Sequence, residues 1–141
     1  MVPRRARVLV VDDEPKLGRV IARILAPEHD VLTLTSAEEA LDRITAGEGF
    51  DLILCDLAMP GVDGVELYER VSAIAPLLVE RIVMMTGGAF TERAAAFLDR
   101  PCIRRLDKPF EPEHLRRLVR ERVAAVTRDD PGSTSIAGGR R

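Results

Sequence analysis

The sequence predicts an α/β fold, a doubly wound five-stranded parallel sheet in the order 2-1-3-4-5 with five helices on its two faces. Three observations predict it. Short apolar runs of strand length alternate with stretches whose apolar residues recur every three or four positions. The runs are continuous rather than alternating, as expected for strands covered on both sides. Polar residues follow four of them: Asp12-Asp13, Asp56, Thr86 and, after the last, Lys108. In a parallel sheet those four stations meet at the carboxyl edge, where open α/β folds bind their ligands.

Each element has its own signal. The first strand is the unbroken segment 7–11. Leu17, Val20, Ile21, Ile24 and Leu25 then recur at helical spacing, and Pro15 suits the first turn, where no N–H is needed. His29 and Asp30 lead into a second strand over 31–34. Ser36 with Glu39 forms a capping box, opening a helix through Ala40, Leu41 and Ile44 that closes near Gly47. Residues 52–55 make the third strand. Met59-Pro60-Gly61 is a turn, and Asp63 with Glu66 caps a helix carrying Leu67, Val71 and Ile74. The fourth strand covers 82–85. Gly87-Gly88 follows, then a helix with Phe90, Ala94, Phe97 and Leu98 on one face. A short fifth strand over 102–106 precedes Lys108-Pro109-Phe110, and Leu115, Leu118, Val119, Val123 and Val126 mark the last helix. Beyond Thr127 the periodicity stops. The expected organisation is one domain over 5–126 and a disordered tail or linker over 127–141.

With 46% apolar and 31% charged residues, the 141-residue chain can bury a core without disulfides or structural metal. A net charge of −2 supplies no general attraction to nucleic acid or anionic lipid. No apolar stretch approaches the ~20 residues of a membrane span, and the basic opening is followed by too few apolar residues for a signal peptide. Cys55 ends one apolar strand and Cys102 starts another, so both read as small reduced core residues. The expected setting is the cytoplasm, with neither nucleic acid nor membrane as a direct partner. Arg116, Arg117 and Arg120 read as a solvated face, with a dimer or partner surface as the alternative. His29 and His114 read as neither ligands nor phosphorylation sites.

The order 2-1-3 sets the first strand beside the third, ~4.8 Å away, so Asp12 and Asp13 face Asp56. Like charges ~4 Å apart repel by ~4 kcal/mol at an effective dielectric near 20. Such a cluster must shift its pKa values, recruit Lys108 or bind a cation. Oxygen donors without histidine or thiol favour a hard ion, and Mg²⁺ is the natural candidate. Asp56 can then attack phosphorus to give an acyl phosphate. Lys108 would pair with one phosphoryl oxygen and the Thr86 hydroxyl would donate to another. Of 21 basic residues only Lys16 and Lys108 are lysines, which fits a need for a compact ammonium at position 108. The added charge would pull on a loop hinged at Gly87-Gly88.

Taken together, Val10-Val11-Asp12-Asp13-Glu14, Asp56-Leu57-Ala58-Met59-Pro60-Gly61, Met85-Thr86-Gly87 and Lys108-Pro109-Phe110 resemble the receiver domain of the bacterial two-component response-regulator family. The resemblance runs from about residue 5 to 126 and implies a flavodoxin-like receiver fold. It implies Asp56 as phosphoacceptor, Asp13 as the carboxylate contacting Mg²⁺ directly, and Asp12 as one acting largely through metal-bound water. It further implies the Ala58 carbonyl as a third protein ligand, with Thr86 and Lys108 as switch hydroxyl and phosphoryl-binding lysine. The implied activity is a Mg²⁺-dependent phosphoacceptor switch that self-phosphorylates and autodephosphorylates, not a turnover enzyme. A histidine kinase or phosphotransfer protein would donate the phosphoryl group, a downstream protein would read the result, and two copies can pair on activation. Arg105 stands where the family usually carries an aromatic three residues before the lysine, and Arg100-Pro101 where it often has Gly-Ala. Ala58 and Gly88 occupy positions that tune hydrolysis in the family. Their small side chains leave water access open, so a short-lived phosphorylated state is expected.

Other readings stay open at the sequence. The chain can be a receiver module excised from a hybrid histidine kinase. It can also be a Mg²⁺-dependent aspartyl phosphohydrolase, although such enzymes place their nucleophile after the first strand in an Asp-x-Asp form that Asp12-Asp13-Glu14 lacks. A flavodoxin-like cofactor protein would need Ser, Thr and Gly donors where this chain has three acids.

Overall fold

The computed structural model describes residues 5–88 and 91–129. Its strands are β1 (Arg7–Val11), β2 (Asp30–Leu34), β3 (Leu52–Asp56), β4 (Ile82–Thr86) and β5 (Arg104–Asp107). Its helices are α1 (Pro15–Leu25), α2 (Ala37–Thr45), α3 (Gly64–Ile74), α4 (Glu92–Leu98) and α5 (Pro112–Asp129), with a 3₁₀ turn at Val79–Arg81. All strands pair in parallel, in the order β2-β1-β3-β4-β5.

Period-two geometry explains why the strand sequences are apolar throughout. Leu9, Val11, Ile53, Cys55, Ile82 and Met84 enter the core shared with α2, α3 and α4. Val8, Val10, Leu52, Leu54, Val83, Met85 and Leu106 enter the other core, closed by Ile21 and Leu25 of α1 and by Leu115, Val119 and Val123 of α5. Each such buried side chain contributes about 1.5–3 kcal/mol relative to exposure. Ser36, Asp63 and Thr91 cap α2, α3 and α4 by accepting the N–H three residues on, at 3.3, 2.9 and 3.1 Å.

Several boundaries differ from the sequence expectation. β5 starts at Arg104 rather than 102, because Pro101 and Cys102 lie in a turn closed by the Ile103 N–H to the Arg100 carbonyl at 3.1 Å. Cys102 is therefore exposed, not a core residue, whereas Cys55 is buried; both are free thiols. α4 begins after Thr91, and Phe90, expected on its apolar face, lies outside the described residues. α5 continues to Asp129, three residues into the expected tail; residues 130–141 lie outside the described residues. β5 is a short edge strand, and its exposed Arg104, Arg105 and Asp107 discourage further strand pairing. Arg120, read as part of a solvated face, pairs with Glu28 and Glu113. Among the described residues no helix is long and apolar enough to cross a membrane.

His29 lies in the connection leading into β2, as the sequence predicts, and is buried there; its Nδ1 accepts the Ala6 N–H at 3.1 Å, tying the entry of β1 to that of β2. Burial holds its pKa below 6.5; Arg5 and Arg120 act in the same direction, and Glu28 and Asp30 oppose them. The unfolded chain thus binds this proton more readily than the folded one. The contribution is complete above 6.5, the unfolded value, and is lost as pH falls towards the folded pKa. Urea unfolding from pH 7 down to 5 is expected to show falling stability, with a shallower slope in His29→Leu.

Candidate functional site

The carboxyl ends of β1, β3, β4 and β5 converge on one crevice, and the chain geometry fixes its polar groups from below. Asp12 follows β1; its N–H bonds the Leu34 carbonyl at 3.1 Å, and its Oδ1 accepts the Glu14 N–H at 2.8 Å just before α1. Asp56 ends β3, where the next residue, Leu57, donates its N–H to the Met85 carbonyl at 3.0 Å. Lys108 follows β5, its N–H on the Thr86 carbonyl at 2.6 Å, and the Lys108-Pro109 peptide is cis. Gly87 gives the lysine room, since a Cβ there would lie 3.2 Å from the Lys108 Cβ.

Asp12, Asp13 and Asp56 each offer a carboxylate oxygen within 4.8 Å of the others. Asp12 and Asp56 are buried and Asp13 is exposed. The Lys108 ammonium bridges the buried pair, 3.1 Å from Asp12 Oδ2 and 3.2 Å from Asp56 Oδ1. Burial works against that ammonium, but its bonds and Coulomb attraction to Asp12 and Asp56 outweigh it and raise the pKa above the usual lysine value. Burial pushes the Asp56 carboxyl above the ordinary carboxylate range. Asp12 adds to the rise, and Lys108 and the Ala58 N–H reverse only part of it. One ammonium serves two buried carboxylates with a third in reach, so a cation is electrostatically welcome here. The donors are all oxygens, which suits a hard ion.

A cavity of about 290 Å³ lies over Asp56, lined by Leu57, Ala58, Gly87 and Lys108. Asp12, Asp13, Asp56 and Lys108 are thus brought together, with Ala58 at the wall. Thr86 is buried at the end of β4, yet its hydroxyl is engaged elsewhere, donating to Asp107 Oδ1 at 2.7 Å. Arg105, which has no aromatic counterpart to play, bonds the same carboxylate through Nη2 at 2.9 Å and Nε at 3.1 Å. Sequence reasoning missed Asp107. Its signal was the spacing of Arg105 and Asp107, two apart and so on one face of β5, beside a strand ending in Thr86.

This combination of open parallel sheet and acidic crevice with one lysine defines a receiver-type α/β domain. A response regulator receiver domain protein (CheY-like) from Methanospirillum hungatei superimposes with a TM-score of 0.77 at 26% identity, covering 89% of this chain and 99% of that one. A putative response regulator from Chloroflexus aurantiacus gives 0.70 at 30%, covering 86% and 99%. The response regulator receiver domain model matches residues 8–120, and the chain belongs to that family. The hydrogenase transcriptional regulatory protein HoxA of Cupriavidus necator is 36% identical over 89% of this chain and 26% of its own length. The transcriptional regulatory protein TcrA of Mycobacterium tuberculosis is 35% identical over 77% and 42%. The chain therefore spans less than half the length of these relatives.

Proposed function

We propose that the chain is a phosphoacceptor switch of a two-component system, taking a phosphoryl group on Asp56. The observation that carries this reading is the Lys108 ammonium shared between Asp12 and Asp56 at 3.1 and 3.2 Å beneath an open cavity. An Asp56 carboxylate oxygen attacks phosphorus as the bond from phosphorus to the donor's leaving atom breaks; the electron pair leaves with the donor, which takes up a proton from solvent. Lys108 exchanges its contact with Asp56 for one with a phosphoryl oxygen, holding charge that the carboxylate carried before. Asp12, Asp13, Asp56 and the Ala58 carbonyl would hold Mg²⁺, which when bound neutralises phosphoryl oxygens during transfer. The Thr86 hydroxyl is the remaining donor at the strand ends and is assigned to a second phosphoryl oxygen.

The donor in this reading is a phosphohistidine on a kinase or phosphotransfer protein, in the cytoplasm, and the receiver unit runs from residue 5 through the end of α5 at Asp129. Output runs through contacts with a downstream protein, with pairing of two copies as one mode. A position within a longer protein such as a hybrid kinase is equally compatible, given the short share of its relatives that the chain spans. The test is intact mass after incubation with acetyl phosphate. One added phosphoryl group is expected with Mg²⁺ and none with excess chelator; equal incorporation in both would overturn the metal assignment, and none in either would overturn the reading. Ala58 and Gly88 leave water access to the acyl phosphate, so the label is expected to decay within minutes to an hour after donor removal, and persistence for many hours would contradict this.

A further inference from the structure

We propose that Asp107, clamped by Arg105, is a positioning residue that withholds the Thr86 hydroxyl proton from the phosphoryl pocket while Asp56 is unmodified. The inference rests on the phosphoacceptor reading above. β4 and β5 pair Thr86 directly against Asp107, and Arg105 lies two residues before Asp107 on the same face. The Thr86 hydroxyl donates to Asp107 Oδ1 at 2.7 Å, and its oxygen accepts from Arg105 Nη2 at 3.4 Å. The guanidinium thus occupies an acceptor direction of the hydroxyl and turns the proton towards the carboxylate.

A hydroxyl has one proton to give. While Asp107 holds it, none is left for a phosphoryl oxygen on Asp56. Modification of Asp56 must therefore win the proton from a charged acceptor. The Thr86 bond, followed by those of Arg105, keeps the Asp107 carboxyl below the ordinary range, so the acceptor is anionic at neutral pH. Asp107 is largely exposed, with 70% of its side-chain surface open, so solvent screens the contact and the competition is winnable. Once Thr86 turns away, Asp107 retains Arg105 alone. The state of the buried pocket is then written into a charged pair on the exposed edge strand, where this chain has arginine rather than an aromatic.

Beryllofluoride, a stand-in for the phosphoryl group on a carboxylate, tests this on the full chain with saturating Mg²⁺ and ¹⁹F NMR. Asp107→Ala is expected to lower the half-saturating concentration by roughly three- to tenfold. Asp107→Asn, which keeps an acceptor oxygen without the charge, should fall between it and the wild type. Arg105→Ala should shift binding in the same direction by less. In a Thr86→Ala background Asp107→Ala should have no effect, because the contact it removes is already gone. Unchanged binding in Asp107→Ala, or the same gain without Thr86, overturns the positioning role alone. A wild-type protein that ignores beryllofluoride overturns the phosphoacceptor reading, and this inference with it.

Discussion

Asp56→Asn is expected to abolish phosphoryl incorporation from acetyl phosphate and to raise the thermal midpoint of the metal-free protein. The loss is complete because an amide oxygen is too poor a nucleophile to form the acyl phosphate, while the shape of the side chain is kept. Stability moves the other way. In the native protein the Asp56 carboxylate meets Asp12 and Asp13 with oxygens within 4.8 Å and is buried, against a single ammonium at 3.2 Å. Its carboxyl pKa lies above the unfolded value, chiefly through burial. The unfolded chain ionises first, so stability falls as pH rises through the folded pKa. Asparagine removes the penalty and leaves Lys108 to Asp12. A rise of roughly 2–5 °C is expected in a melt without divalent metal, shrinking when Mg²⁺ is added because the wild type alone then gains a strong ligand. Incorporation in Asp56→Asn at the wild-type level would move the phosphoacceptor to another residue. A lower midpoint would mean that the Lys108–Asp56 pair outweighs the repulsion.

Burial on both faces made the architecture readable. Strands such as Leu52–Asp56 carry apolar residues at every interior position because each face meets a helical layer, so continuous apolar runs revealed both their existence and their parallel pairing. Register followed from the polar stations, since Asp12, Asp56 and Lys108 are drawn together by strand ends that must coincide. Where a segment lacks that double burial, the sequence is less informative. β5 has one buried residue, Leu106, among exposed charges, so the local pattern points to a start two residues early and to Cys102 in the core. The burial of His29 in its loop is not legible locally, because its Nδ1 accepts the N–H of Ala6, 23 residues away, a contact that no local pattern encodes. Asp107 escaped for a similar reason. Its partner Thr86 lies 21 residues away in the chain, and the link is a lateral one between neighbouring strands.

Gly64→Ala is expected to damage both fold and site, because the first residue of α3 sits against the backbone of the acceptor loop. A Cβ on Gly64 would lie 2.8 Å from the Asp56 carbonyl oxygen, 2.9 Å from Leu57 Cα and 3.1 Å from Met84 Sδ. Two of these neighbours are backbone, and Leu57 is held by its own N–H to Met85, while its carbonyl accepts the Gly64 N–H at 3.0 Å. The clash cannot be relieved by a rotamer change. Either α3 moves outward, opening the core around Val65 and Leu67, or the end of β3 moves and takes the Asp56 carboxylate away from Lys108. Overpacking of this kind costs about 1–3 kcal/mol, or roughly 3–10 °C in midpoint for a chain of this size. Gly49→Ala is the control, since nothing lies within 4 Å of a Cβ there and its φ is not in the left-handed region; it should melt within a degree or two of the wild type. The phosphorylation rate separates the two modes of relief. If α3 yields, Gly64→Ala melts lower yet incorporates phosphate at the wild-type rate; if the acceptor loop yields, the rate falls as well. The second is expected, because Val65, Leu67 and Val71 fix α3 in the core over two turns, and the backbone that a Cβ would press on belongs to Asp56 and Leu57 themselves.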